Sequence, residues 1–287
     1  MGEQLRLLSI GAHPADVFDQ SGGTMAHHSS RGDHVACAVI THGARVHDVV
    51  ISEEMSHRDE IPEADELTSL MSERSDVKAE EVRAAGRILG FSDIYFLEAD
   101  DAVLLVTDAV VKKLARIIRE LRPDVLLTHY PKVSGGLTAQ HAIGGQIAMH
   151  AMQYAAGVDP GDRNPPHTVA QVFFFGGGAA GVRSGLWDSE GGFTNDVFVD
   201  ITDVADKKLA ALDTLVSQGY NGEYARKRIE AGDGAFGMTA GTAYAEGFIS
   251  LKSQTHYYLP LTDFTLQQAR STDHERMARY SYRLPVD

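Results

Sequence analysis

The chain has 287 residues, 43% of them apolar and 23% charged, with a formal net charge of −14. That length lets a folded chain bury about 75% of its unfolded surface, and the composition excludes a disordered or collagen-like polypeptide. The acidic balance argues against nucleic acid as a partner, because phosphate binding draws on Lys and Arg that displace counterions; a small anionic or polar substrate stays compatible with it.

Met1 to Arg6 leads straight into an apolar stretch, with no basic signal or cleavage site, and no apolar run approaches the ~20 residues that span a bilayer. The expectation is a cytoplasmic chain without a membrane partner. Short β-like runs then alternate with helical segments: Arg6 to Gly11 and Gly22 to Arg31, Val35 to Ile40 and Val77 to Leu89, Ile94 to Leu97 and Val106 to Leu121. The series goes on with Val125 to Thr128 and Ala139 to Ala156, the strand Val169 to Phe175, then Val197 to Ile201 and Val204 to Ser217. This order predicts an α/β fold, a Rossmann-like parallel sheet with helices on both faces.

Within Val106 to Leu121, the stripe Val110, Val111, Leu114, Ile117, Ile118 and Leu121 opposes Lys112, Lys113, Arg116 and Arg119, as a helix covering a sheet requires. A long polar connection, His42 to Asp76, separates the second strand from its helix and reads as a substrate lid or an oligomer contact. The last third, from about Gly219, lacks a clear period. The expected organisation is one domain over 1–250, with the 42–76 stretch inserted in it, and an extension over 251–287 packed on that domain. The single cysteine, Cys37, sits inside the run Val35 to Ile40 and reads as a buried small hydrophobe.

In open α/β sheets, ligands bind outside the carboxyl ends of the strands. Residues there include His13 and Asp16 after the first strand, Thr41 and His42 after the second, Glu98, Asp100 and Asp101 after the third, and Thr128 and His129 after the fourth, followed by His141. Histidine nitrogens with a carboxylate suit zinc or a related divalent ion, and three protein ligands with an open fourth place make a catalytic site. A His-x-x-Asp pair alone is a weak signal, and strand-end histidines often only donate hydrogen bonds; its position before Gly22-Gly23, paired with a second histidine cluster, gives it force. Gly176-Gly177-Gly178 lacks the spacing of a dinucleotide fingerprint.

The stretches Ser9 to Asp16 (SIGAHPAD), Lys78 to Gly90, Pro123 to Tyr130 with Gln140-His141, Val199 to Thr202 with Lys207 and Lys208, Ser217-Gln218, and Tyr244 to Phe248 together resemble the LmbE/PIG-L superfamily. Its members are zinc-dependent, N-acetylglucosaminyl deacetylase-like proteins. The resemblance implies Zn2+ held by His13, Asp16 and His141. It also implies an aspartate acting as general base just before the liganding one, and usually an aspartate before the last histidine. This chain has Ala15 and Gln140 there.

Without the base, amide hydrolysis loses the group that protonates the departing amine, help worth about 10²–10⁴-fold. Addition of water to an activated double bond has no amine to expel. A branch of the superfamily resembling 4-oxalomesaconate hydratase carries alanine at this place. The favoured expectation is therefore a metal-dependent hydratase or lyase of an unsaturated oxo-carboxylic acid; the alternatives are an N-acyl deacetylase and a non-catalytic descendant. His42 and His129 are candidates to replace the base, with Glu53 or Glu54 behind them, and Arg45 to clamp a substrate carboxylate. Asp19 reads as a cap for a helix beginning near Ser21. A homo-oligomer is compatible with all three readings.

Overall fold

Strand β1 (Arg6–Gly11) is buried at every position after its first, and β2 (His34–Thr41) likewise. Only a strand covered on both faces accepts such continuous apolar runs. The computed structural model describes residues 3–132, 140–176 and 195–284. In chain order, β1 is followed by α1 (Asp16–Arg31), β2, α2 (Val49–Ser56), α3 (Ala64–Leu89), β3 (Asp93–Ala99), α4 (Asp108–Leu121), β4 (Val125–Thr128) and α5 (Gln140–Ala155). Then come β5 (Gln171–Phe175), β6 (Val197–Asp200), α6 (Ala205–Leu212), α7 (Glu223–Arg228), a π-helical turn (Ile229–Asp233), α8 (Gly234–Ala240), β7 (Ala245–Ser250), α9 (Asp263–Arg270) and α10 (Asp273–Arg279).

The sheet order is β3-β2-β1-β4-β5-β7-β6. Strands β1 to β5 pair in parallel, whereas β7 runs antiparallel to both β5 and β6. The expected parallel sheet is thus a mixed one. Strand β7 escapes recognition in the sequence because Glu246 and Gly247 interrupt its apolar run Ala245 to Ile249, and both residue types are poor strand formers. One apolar cluster lies under α4 and α5, and a second under α1, α3 and α6, on the two faces of the sheet.

Three local expectations are revised. Helix α1 starts at Asp16, ahead of Gly22-Gly23, and the glycines serve packing: a Cβ on Gly23 would lie 2.6 Å from Ile201 Cγ2. Arg119, placed on the solvent side by helical spacing, is only 2% exposed, and its guanidinium donates to the carbonyls of Tyr154, Ala155 and Gly157. These carbonyls lie at and just after the end of α5, where helical partners run out, and Asp159 and Asp162 pair with the same guanidinium. The 42–76 stretch holds α2 and the first half of α3; the Asp48 carboxylate caps α2 at Ile51 N, 3.0 Å, and pairs with Arg74, 3.1 Å, and Lys78, 3.3 Å.

Lys208 ties this half of the molecule together. Its Nζ lies 2.7 Å from Asp233 and 2.8 Å from Glu246, and Glu246 in turn accepts from the backbone N–H groups of Gly23 and Thr24. Burial pushes the Asp233 carboxyl upward, against the pull of the Lys208 charge. Lys208 is fully buried, so Lys208→Met would strand two carboxylates without a cation. The expected cost is about 3–5 kcal/mol of unfolding free energy, read from urea denaturation; a loss below about 1 kcal/mol would contradict the pairing.

Candidate metal centre

Chain order reverses beside β1: β2 and β3 lie to one side, β4 and β5 to the other. A crevice opens at such a switch point outside the carboxyl ends of the strands. The turn after β1 carries His13 and Asp16 into it, the end of β4 brings His129, and the first turn of α5 brings Gln140 and His141. A Cβ on Gly145 would lie 2.3 Å from the His129 carbonyl, so the glycine lets α5 approach β4 this closely.

Asp16 is the hub. It is buried in the first turn of α1, where the helix dipole favours a negative charge. Its Oδ2 accepts from His13 N at 2.7 Å and lies 3.0 Å from His129 Nε2 and 3.4 Å from His13 Nδ1; its Oδ1 is 3.4 Å from His141 Nε2. Burial raises the carboxyl's pKa, but the charges of His141, His129 and His13 outweigh that and hold it well below the usual range. Ligand atoms of His13, Asp16 and His141 all lie within 4.8 Å of one another. Two imidazoles and a carboxylate at that spacing fit a zinc-like divalent ion.

The surrounding bonds decide which nitrogen faces inward. Gln140 Nε2 donates to Asp101 O at 2.8 Å, which turns the amide oxygen toward His13 Nε2, 3.0 Å away. An amide oxygen only accepts, so His13 carries a proton on Nε2 and turns Nδ1 toward Asp16; burial lowers the His13 pKa, but the Asp16 charge and hydrogen bond outweigh it and raise it. His129 Nε2 accepts from the Ala12 N–H at 3.2 Å and lies 3.0 Å from Asp16 Oδ2. Burial lowers the pKa of His129 against the raising pull of Asp16. At 6% exposure, edge-on to Phe175 and stacked on His141 at 4.4 Å, it braces Asp16 from behind.

A second hydrogen-bonded unit stands beside the first. The side chain of Asp101 is fully buried; its oxygens accept from the backbone N–H groups of Arg45, Val46 and His47, at 2.9, 2.8 and 3.1 Å, and from His47 Nδ1 at 3.1 Å. Despite burial, these bonds hold the Asp101 carboxyl far below its ordinary pKa. In the neutral ring, donation from Nδ1 to Asp101 puts the lone pair on Nε2, and the His47 ring lies 4.0 Å from that of His13. Nothing in the sequence separates His47 from His42 or His57: all three stand in one aperiodic polar stretch, and only the folded loop selects the residue that reaches His13.

The other sequence candidates are placed as follows. His42 reaches the same carboxylate, Nδ1 to Asp101 Oδ1 3.3 Å, and lines a cavity of about 110 Å3 with Pro14, Thr41, Lys78, Phe96 and Glu98. Arg45 is half exposed and paired with Asp100 at 2.6 Å. Glu54 pairs with Arg58, and Glu53 is exposed. Asp19 lies inside α1 and pairs with Arg228, so it does not cap a helix at Ser21; the earlier start at Asp16 is the reason. Ala15 is buried, its methyl within the apolar packing that includes Phe18, Cys37 and Val39. Cys37 is fully buried, which drives its thiol pKa upward. Gly177 and Gly178 lie outside the described residues.

The depressed pKa of Asp101 carries a sign for stability. The folded state takes up that proton less readily than the unfolded one, so the stabilisation is complete above about pH 4 and is lost as pH falls toward the folded value. Asp101→Asn is expected to flatten the fall in unfolding free energy between about pH 5 and pH 3. Equal slopes in urea melts of variant and wild type would contradict this.

Comparison with known proteins bears on the fold and the family. The PIG-L family model, described as GlcNAc-PI de-N-acetylase, matches residues 8–152. The chain is 31% identical over 192 residues to a 1D-myo-inositol 2-acetamido-2-deoxy-alpha-D-glucopyranoside deacetylase of Streptomyces griseus, covering 59% of this chain and 54% of that protein. The chain thus spans about half the length of that relative. It is 28% identical over 261 residues to 4-oxalmesaconate hydratase of Pseudomonas putida, covering 86% and 90%. Among solved structures, the 4-carboxy-2-hydroxymuconate hydratase of Pseudomonas putida aligns with a TM-score of 0.67 at 22% identity, over 89% of this chain and 100% of that one. The N,N'-diacetylchitobiose deacetylase of Pyrococcus horikoshii aligns at 0.66 and 21%, over 87% and 84%. With residues 8–152, half of its length, matched by the family model, the chain belongs to the PIG-L family.

Proposed function

We propose that the chain is a metal-dependent hydratase of a small unsaturated oxo-carboxylic acid. In this reading His13, Asp16 and His141 hold a zinc ion and His47 transfers the proton. The observation that carries it is the pairing of a loss with a gain. At position 15 a buried methyl stands where the family resemblance implies a carboxylate, while an imidazole oriented by Asp101 stands beside His13. The hydratase relative that aligns over 90% of its own length supports the same reading.

A divalent ion at this site supplies Lewis acidity to a substrate oxygen. The chain's own residues do the rest. Gln140 holds the His13 ring, and His129 holds Asp16. Arg45, half exposed at the rim, exchanges Asp100 for a substrate carboxylate, which its guanidinium grips with two hydrogen bonds. His47 Nε2 removes a proton from the attacking water as the new C–O bond forms. The double-bond electrons move toward the keto oxygen, and the same nitrogen returns the proton to the adjacent carbon as they come back.

N-deacetylation of an acetamido sugar is the second reading, favoured by the family description and by the deacetylase relatives. Two assays on the zinc-loaded protein separate the readings. Loss of absorbance from unsaturated oxo-dicarboxylates, without acetate release from N-acetylglucosaminyl compounds, is expected. Acetate release at ordinary enzyme rates would sink the hydratase reading. Ala15→Asp is expected to give no deacetylase; a gain of about 10²–10⁴-fold would mean that only the base was missing.

Two substitutions test the residue roles. His47→Gln is expected to lower turnover by about 10²–10⁴-fold with zinc content unchanged. Gln140→Leu, which frees the His13 ring, is expected to weaken zinc affinity by about 10–100-fold, measured by competition with a chelator. Unchanged affinity in that variant would remove Gln140 from the site.

A further inference from the structure

After β7 the chain leaves the body as an arm. Leu251 N bonds to Val172 O at 2.9 Å, and Lys252 exchanges two hydrogen bonds with the Gln171 side chain, 3.0 and 2.7 Å. The return is anchored as well: Thr262 caps α9, Gln268 Nε2 donates to Gly241 O at 2.6 Å, Tyr282 donates to Asp206 at 3.0 Å, and Leu284 is buried. Between these anchors, every residue of 251–262 is exposed, and no hydrogen bond joins 253–261 to another described residue.

The second half of the free span, Tyr257 to Leu261, is apolar. Tyr257 is 102% exposed, Tyr258 88%, Leu259 95% and Leu261 61%, with Pro260 among them. Holding one residue of backbone in place costs about 1–2 kcal/mol, and no hydrogen bond to the other described residues offsets that cost over 253–261. Two tyrosines offer on the order of 150–250 Å2 each, and the leucines and proline bring the arm toward the roughly 800 Å2 per partner of a standard interface. Exposed apolar patches of this size on a soluble chain mark an interaction surface.

We propose that the arm is the self-association surface of this protein, packing against the same arm of a second copy across a two-fold axis. The charge distribution favours a second copy. Ser253 to Leu261 contains no Asp, Glu, Lys or Arg, in a chain whose net charge of −14 makes most of its surface repel its like. An uncharged apolar strip is self-complementary, as a two-fold contact requires. This inference is independent of the reaction assigned to the metal centre.

Sedimentation of the full chain across the micromolar range tests it. Wild type is expected to sediment as a dimer or a larger even-numbered assembly. Combined Tyr257→Ser, Tyr258→Ser and Leu259→Ser substitutions are expected to raise its dissociation constant by about 100-fold or more, with circular dichroism unchanged because these side chains are exposed and with a urea midpoint that no longer rises with protein concentration. A wild type that stays monomeric, or a variant that assembles as wild type does, would overturn the proposal. Tyr257→Cys, Tyr258→Cys and Leu259→Cys, made singly, test the arm-to-arm geometry, since Cys37 is buried and leaves the new thiol alone at the surface. At least one is expected to form a covalent dimer on mild oxidation; none doing so in an assembled protein would overturn the two-fold arrangement.

Discussion

A buried carboxylate at the start of a helix, surrounded by three imidazoles, sets the terms for the rest of this molecule. Asp16 can stay ionised at 7% exposure only because the α1 N-terminus, the His13 amide and the rings of His13, His129 and His141 compensate its lost hydration. The three rings arrive from three segments: the β1 turn, the end of β4 and the start of α5. The strand order that puts β4 beside β1 is therefore a requirement of the site as well as of the core. Gly145 serves the same end by letting α5 come down on the His129 carbonyl.

Two buried polar networks flank this centre and fix its walls. On one side, Lys208 joins Asp233 and Glu246 and, through Glu246, the middle of α1; the helix that begins with Asp16 is thus bonded to the antiparallel strand β7. On the other, Asp101 gathers three successive amides of the 45–47 loop, and Lys78 donates to the His47 carbonyl at 2.8 Å and to Ser217. The loop that carries His47 is therefore held from both of its polar faces. An exposed connection of this length is ordinarily mobile, and these bonds replace the packing that a regular element would have supplied.

How much of this was legible in the sequence depended on the range of the interactions involved. The apolar runs of β1 to β4 and the stripe of α4 report burial directly, and His13 and Asp16 stand three residues apart in a turn whose motif resembles a known family. His141 could be joined to them through that resemblance. Arg119 shows the limit of the helical period: spacing put it with the solvent-facing cations, and the carbonyls at the end of α5 together with Asp159 and Asp162 hold it inward. Strand β7 was hidden because its Glu246 is neutralised by a lysine 38 residues away, a pairing that no local pattern announces. His47 was hidden for a like reason, since its partner Asp101 lies 54 residues on.

By itself, the sequence determined the alternation of elements, the burial of the central strands, the acidic surface and the identity of the donor atoms after β1, all of which follow from properties within one turn or one strand. Only the tertiary structure decided which histidine meets which carboxylate, which ring nitrogen keeps its proton, that the missing acid at position 15 leaves a methyl in the apolar packing, and that β7 runs against its neighbours. Those outcomes depend on distances of about 3 Å between residues far apart in the chain, where hydrogen-bond and Coulomb energies change steeply. Spacing along the polypeptide carries no information at that range.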